Sequence, residues 1–246
     1  TLVVFAVVSF MALREFITIT PTRRGDHRAL SWAFFVLLPW QYVMVGTGMI
    51  GLFSIFIPVY GLLFLAIRAA LGGETEDYLV RTAEIQWGLF ICVYFVSHAP
   101  ALFLLEIPGY AGEQAKLLLF LVTIVEVSDV LQYVWGKSIG RTPVVPGLSP
   151  NKTVEGLIGG VLSASVLGAL LWWVTPFSPL QAFLLSLVTC LLGFFGGLVM
   201  SAIKRDRGIK DYGTLLPGHG GMLDRIDSLC FAAPVFFHII RYFYAS

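Results

Sequence analysis

The feature that most limits this chain is its succession of apolar runs, each about a membrane's thickness long and each ended by charged or Gly/Pro-rich segments. A helix needs about 20 such residues to cross the hydrocarbon core, because the backbone polar groups there must be paired within the segment. Runs of this kind lie at 1–14, 30–47, 49–71, 83–106, 115–136, 154–174, 179–203 and 222–244. The stretch 30–71 overshoots a single crossing, so the spacing predicts a break at Gly46-Thr47-Gly48. The predicted fold is all-α, a polytopic membrane helical bundle with about eight transmembrane helices. Composition agrees: 13% of residues are charged, against roughly a quarter in soluble domains. Thr1 opens inside an apolar run without a Met, so a trimmed start with a further helix upstream is expected.

The placement of cations predicts orientation. Arg14, Arg23, Arg24 and Arg28 follow the first run, Lys137, Arg141 and Lys152 the fifth, and Lys204, Arg205, Arg207 and Lys210 the seventh. By the positive-inside rule these loops face the cytoplasm. The alternate connections at 46–48, 107–114 and 175–178 contain no Lys or Arg, which is the complementary half of the pattern. The 72–82 loop, with Glu74, Glu76 and Asp77 against Arg81, adds little. Trp172, Trp173, Tyr242 and Tyr244 stand where interfacial aromatics are expected.

Polar residues gather in three places. Lys204 to Gly221 is basic and then Gly-rich, and it runs into Asp224, Arg225 and Asp227 at the head of the last run. Glycines that expose N–H groups, followed by a helix N-terminus, suit a phosphate. Asp224 and Asp227 share a helix face with Cβ atoms about 5–6 Å apart, and they need a cation between or beside them, either Arg225 or a metal. Mg²⁺ commonly reaches a protein through one or two carboxylates plus substrate phosphates. The second place is Glu126 and Asp129, also three apart, where intramembrane acids imply a polar cavity. The alternative for Asp129 is a snorkelling partner for Lys137. The third is Ser149 to Gly156, where Ser149-Pro150 reads as a helix N-cap and first turn presenting Lys152 and Thr153 to an anion.

Other polar residues carry less. Cys92, Cys190 and Cys230 lie in apolar runs without metal-ligand spacing and read as small buried hydrophobes. His98 and His238 read as packed polar residues. No Ser-His-Asp order, HExxH motif or Walker A loop is present, so those hydrolytic and P-loop mechanisms have no support.

The run Ser201, Lys204-Arg205, Lys210-Asp211, Gly213, Leu216-Pro217, His219-Gly220-Gly221, Asp224-Arg225 and Asp227 resembles the signature of the phosphatidate cytidylyltransferase family. Ser149-Pro150-Asn151-Lys152-Thr153-Val154-Glu155-Gly156 is similar to its Ser-Pro-Lys-Lys-Thr-Trp-Glu-Gly element, and Asp129 to Lys137 to its Asp-x-x-Ala-Tyr-x-x-Gly-Lys segment. The resemblance covers about residues 125–230. It implies a homodimeric enzyme of phospholipid biosynthesis, in a bacterial inner membrane, that joins CTP to phosphatidate and releases pyrophosphate and CDP-diacylglycerol. It implies no nucleic acid partner. It also implies catalytic Mg²⁺, with a monovalent cation such as K⁺ as a second possibility, and active-site loops facing the cytoplasm.

Carried over by position, Asp224 is the principal metal ligand, Asp129 stands as a second one, and Lys204, Arg205 and Asp227 complete the catalytic set. Ser149, Lys152, Thr153, Ser201, Lys210, Asp211, His219 and Arg225 form the nucleotide pocket. On this reading 1–114 holds N-terminal transmembrane helices and 115–246 the catalytic region.

Departures from the family are specific. Where the family has Gly-Asp before its Glu-Ser, this chain reads Gly196-Gly197-Leu198-Val199-Met200-Ser201, so a second ligand Asp and a Glu are absent. Leu131 and Gln132 replace a small Gly-Ala pair. Asp129 or Glu126 is the candidate for the missing ligand. Rival readings are a CTP-dependent polyprenol-type lipid kinase, a membrane transporter and an inactive scaffold. A transporter predicts polar groups near the midplane and paired halves, whereas the polar clusters here fall at one end of the runs.

Overall fold

The computed structural model describes residues 1–215 and 220–245. It is helical apart from one short hairpin: α1 (Leu2–Thr18), α2 (Arg24–Gly46), α3 (Ile50–Ala70), α4 (Tyr78–Leu104), α5 (Gln114–Ile139), β1 (Pro143–Val145), β2 (Ser149–Thr153), α6 (Val154–Leu170), α7 (Pro179–Asp206) and α8 (Leu223–Phe243). The all-α membrane fold expected from the apolar runs is present. Among the described residues, six helices (α2, α3, α4, α5, α7 and α8) are long and apolar enough to cross a bilayer. That is fewer than the eight expected. α1 and α6 have 17 residues each, or about 25 Å at 1.5 Å per residue, short of a roughly 30 Å core.

The chain divides into two compact units, Thr1–Leu104 with Asp211–Arg225, and Leu105–Lys210 with Ile226–Ser246. The 211–225 segment thus returns to the first unit, although sequence order sets it among the C-terminal helices. The first turn of α8 counts with one unit and the rest with the other.

In the first unit the break at 46–48 is real. Gly48 takes a left-handed φ of +73°, and the Thr47 hydroxyl closes α2 by donating to Val43 O at 2.9 Å. α2, α3 and α4 each contain a widened π segment, at 33–37, 56–61 and 90–95. Pro58 lies in one of them and donates nothing to the Ser54 carbonyl one turn back. The Tyr94 hydroxyl of α4 donates to that carbonyl at 2.8 Å, as a lipid-embedded backbone requires. The acidic loop before α4 is neutralised locally: Arg81 pairs with Asp26 at 2.9 Å, both almost wholly buried, and also donates to Glu74 O and Glu76 O. His98 is buried against Phe53 and Tyr94, with Nδ1 2.7 Å from Tyr94 O, as a packed polar residue should be.

In the second unit small residues set the spacing. Gly156, Gly160, Ala164 and Gly168 recur every four residues on α6 and are all buried. This stripe lets helices approach closely, because lipid provides no hydrophobic drive for association. A Cβ at Gly156 would lie 2.7 Å from Gln132 O on α5. α7 starts from a capping box in which Ser178 and Gln181 exchange side-chain and backbone hydrogen bonds, with Pro179 at its first turn. Phe120 and Phe236 stack within this unit, 6.2 Å between centroids. The three cysteines are buried and form no disulfide.

Ser149 does not cap a helix. Residues 149–153 form β2, antiparallel to β1 with Val145 opposite Ser149 and Pro143 opposite Thr153. The N-cap of α6 is Thr153, extended at φ −109° and ψ 156°, whose Oγ1 accepts from Gly156 N. Pro150 lacks an N–H and suits a short, exposed edge strand better than a helix interior.

Candidate active site

A charged cavity lies in the second unit and has a volume of about 330 Å³. α5 contributes Asp129, Gln132 and Tyr133, β2 contributes Ser149, Asn151, Lys152 and Thr153, α7 contributes Phe194, and α8 contributes Asp227 and Ser228. The first unit has clefts of similar size, about 310 and 280 Å³, but their linings hold no Asp, Glu, Lys, Arg or His side chain.

The cavity is organised by charge. Asp129 interacts with the Ser228 hydroxyl and with Lys152. Asp227 accepts from Ser228 N at 2.8 Å and interacts with Lys204, Asp129 and Lys152. Burial pushes the Lys152 ammonium below the usual lysine range, Asp129 and Asp227 oppose that shift, and Lys204 adds to it. Lys152 Nζ sits 4.9 Å from the centre of the Phe194 ring, a cation–π seat. Two carboxylates and two ammonium groups therefore act on one another around one cavity.

The remaining predicted residues lie as follows. The Ser201 hydroxyl donates to Gly197 O at 2.7 Å within α7. Arg205 is exposed and donates to Leu148 O at 3.3 Å, tying the β1–β2 turn to α7. Lys210, Asp211 and Arg225 are exposed, and so is Glu126 on α5. Lys137 is also exposed and stands over the Tyr133 ring at 5.8 Å. His219, with Leu216, Pro217 and Gly218, lies outside the described residues.

Asp224 belongs to the first unit, where its Oδ2 accepts from Tyr212 N at 2.8 Å and from Gly221 N at 3.0 Å. Beside it is a residue that the sequence reading missed. Glu15, on α1, accepts from Met222 N and Leu223 N, each at 2.9 Å. The N–H groups at the start of α8, expected to face a phosphate, are held by this carboxylate, which a helix N-terminus favours. Gly213 and Gly221 leave room for it: a Cβ at Gly213 would lie 2.7 Å from Glu15 Oε1, and one at Gly221 would also collide with the carboxylate.

The donor set bears on the implied divalent metal. Among the described residues no group of three or more His, Cys, Asp or Glu side chains gathers as a metal cage. Asp224 directs one oxygen at two backbone N–H groups, and Asp129 and Asp227 share their cavity with an ammonium. These side chains do not fit a divalent ion held by protein groups alone.

A helical bundle with an apolar exterior and this charged cavity is an integral membrane protein. The profile of the cytidylyltransferase family matches residues 1–243, and the chain belongs to that family. It is 46% identical over 246 residues to the uncharacterized protein YnbB of Escherichia coli (strain K12), covering 98% of this chain and 79% of that one. A phosphatidate cytidylyltransferase of Bacillus subtilis (strain 168) is 31% identical over 220 residues, 87% of this chain and 77% of that one. One from Aquifex aeolicus (strain VF5) is 40% identical over 146 residues, 59% and 55% of the two chains, so the match spans about half of that relative.

Proposed function

We propose that this protein transfers the cytidylyl group of CTP to phosphatidate, forming CDP-diacylglycerol and pyrophosphate. The observation that carries the reading is the convergence of Asp129, Asp227 and Lys152 on one cavity, with Lys204 in electrostatic reach of Asp227 and Lys152, in a cytidylyltransferase-family chain. In the reaction a phosphomonoester oxygen of the lipid attacks the α-phosphorus of CTP. A P–O bond forms there as the bond to the β-phosphate oxygen breaks, and that electron pair leaves on pyrophosphate. No covalent intermediate with the protein is needed, so positioning and charge neutralisation do the work.

Lys152 and Lys204 offset phosphate charge. Asp129 and Asp227 repel it and hold the ammonium groups, which restricts where a phosphate can lie. Magnesium enters with the nucleotide, as the Mg–CTP complex that is the substrate. The positive-inside rule, applied to the basic ends of the spans, supports a cavity facing the cytoplasm in a bacterial inner membrane, with a homodimer as the proposed working unit.

The test uses purified protein with Mg²⁺, phosphatidate and CTP labelled separately at the α and γ positions. The α label is expected in the lipid product and the γ label in pyrophosphate. Recovery of the γ label in lipid would make the protein a lipid kinase, and CTP left intact would sink the enzymatic reading.

A further inference from the structure

The Lys152 ammonium occupies space that a side chain at residue 197 would contest. A Cβ on Gly197 would lie 2.5 Å from Lys152 Nζ and 3.6 Å from Ser228 Oγ, so a side chain there would point into the same cavity. Gly197 is buried within α7, and its carbonyl accepts the Ser201 hydroxyl at 2.7 Å. The helix fixes that backbone, and the flexible partner in any collision is the lysine. The ammonium rests over the Phe194 ring, a seat that attracts a cation without taking up its three donors in hydrogen bonds. Asp129 and Asp227 act on it from the other walls of the cavity, with Lys204 as the further cation.

We infer that Lys152 and Gly197 are a matched pair, which makes this cavity a phosphate subsite carrying its own fixed cation. A divalent ion placed between Asp129 and Asp227 would meet an ammonium in the same cavity, whereas a phosphate oxygen meets a donor. Gly197 is then a positioning residue: it touches no substrate and acts by letting Lys152 reach in. The inference deepens the proposed function and rests on it for the ligand class, a phosphate group supplied either by CTP or by the lipid phosphomonoester.

The experiment reads equilibrium binding to the purified protein in detergent, without turnover, using labelled CTP in one arm and phosphatidate in the other. Lys152→Met removes the charge and keeps the length, and Gly197→Ala displaces the ammonium without removing it. Each is expected to weaken at least one ligand about 10-fold, the size of one charge-assisted contact. The double variant should bind no worse than Lys152→Met alone, because both changes act through one group.

Weakening confined to CTP assigns the subsite to the triphosphate, and weakening confined to phosphatidate assigns it to the lipid headgroup. Binding of both ligands within about twofold of wild type in either single variant, or additive losses in the double, overturns the inference. Should Gly197→Ala fail to fold, Lys152→Met decides alone by the same criterion. Loss of transfer chemistry with this binding pattern intact would count against the proposed reaction and leave the subsite standing.

Discussion

The two units use their carboxylates in opposite ways. In the first, Glu15 and Asp224 accept backbone N–H groups, and Asp26 is paired with a buried Arg81. In the second, Asp129 and Asp227 line a cavity and meet ammonium groups there. The first set holds the 211–225 segment and the loop ends in shape, and the second lines the cavity proposed to take the ligand. Buried acids alone therefore do not mark a reaction centre, and what each oxygen already accepts is the better guide.

The two sets are separable by asking whether a loss of activity comes with a loss of stability. Asp224→Asn should do both. It is expected to lower the Tm in detergent while the protein still folds, because Tyr212 N and Gly221 N lose a charged acceptor, and to cut cytidylyl transfer by more than about 1,000-fold, roughly 4 kcal/mol, because the segment it braces carries the Asp211-to-Arg225 part of the family signature. Wild-type turnover would remove Asp224 from the mechanism. Asp227→Asn should cost about 100-fold in transfer with Tm unchanged, and a fall in Tm of several degrees would show that it braces the fold too.

Glu15→Gln should have the reverse profile. The amide retains one oxygen acceptor for the two N–H groups at the start of α8, so stability should fall by about 1–2 kcal/mol, with only a few-fold loss in turnover. If turnover disappears while Tm holds, the division between bracing and ligand-facing acids fails. The smallest expected effect is in the loop before α4, where the Arg23 guanidinium, hydrogen-bonded to Glu76, holds that carboxyl below its ordinary value. A depressed carboxyl stabilises the fold above its ordinary value of 4.5 and loses that contribution as pH falls through its folded value. Wild type should therefore lose slightly more Tm on acidification than Glu76→Gln, and high salt should remove the difference, since the pair is exposed.

Apolar run length and interrupting charges found each helix, with the starts of α2 and α4 set late at 30 and 83 against the observed Arg24 and Tyr78, because a lipid-spanning segment must be both long and helical. The turn at Gly48 was legible for the same reason. The hairpin at 143–153 was not: five residues with Ser-Pro at their head carry the local marks of a helix start, and only pairing with Pro143–Val145 shows otherwise. Asp129, Lys152 and Asp227 were visible as polar residues bordering apolar runs, and the fold brings these three together. Gln132 stood out as a departure from the family's small residues, whereas Phe194 was missed as a lining residue because nothing in its type separates it from packing. Glu15 was hidden by distance, since its partners lie 207 and 208 positions along the chain. The Gly156-Gly160-Ala164-Gly168 spacing was in plain view, and it could have marked the close helix packing in advance.

The brevity of α6 has a consequence for the surrounding lipid. At about 25 Å it stands in the same unit as α5 and α7, whose 26 and 28 residues correspond to about 39 and 42 Å. A bilayer meets a short helix by thinning and a long one by tilting it or thickening around it. Headgroups beside α6 are expected to be drawn inward relative to those beside its neighbours, and α6 begins at the residue after Thr153, on the cavity wall. On the proposed function, hydrophobic mismatch would thus shorten the distance a lipid phosphate travels out of its leaflet to reach Lys152.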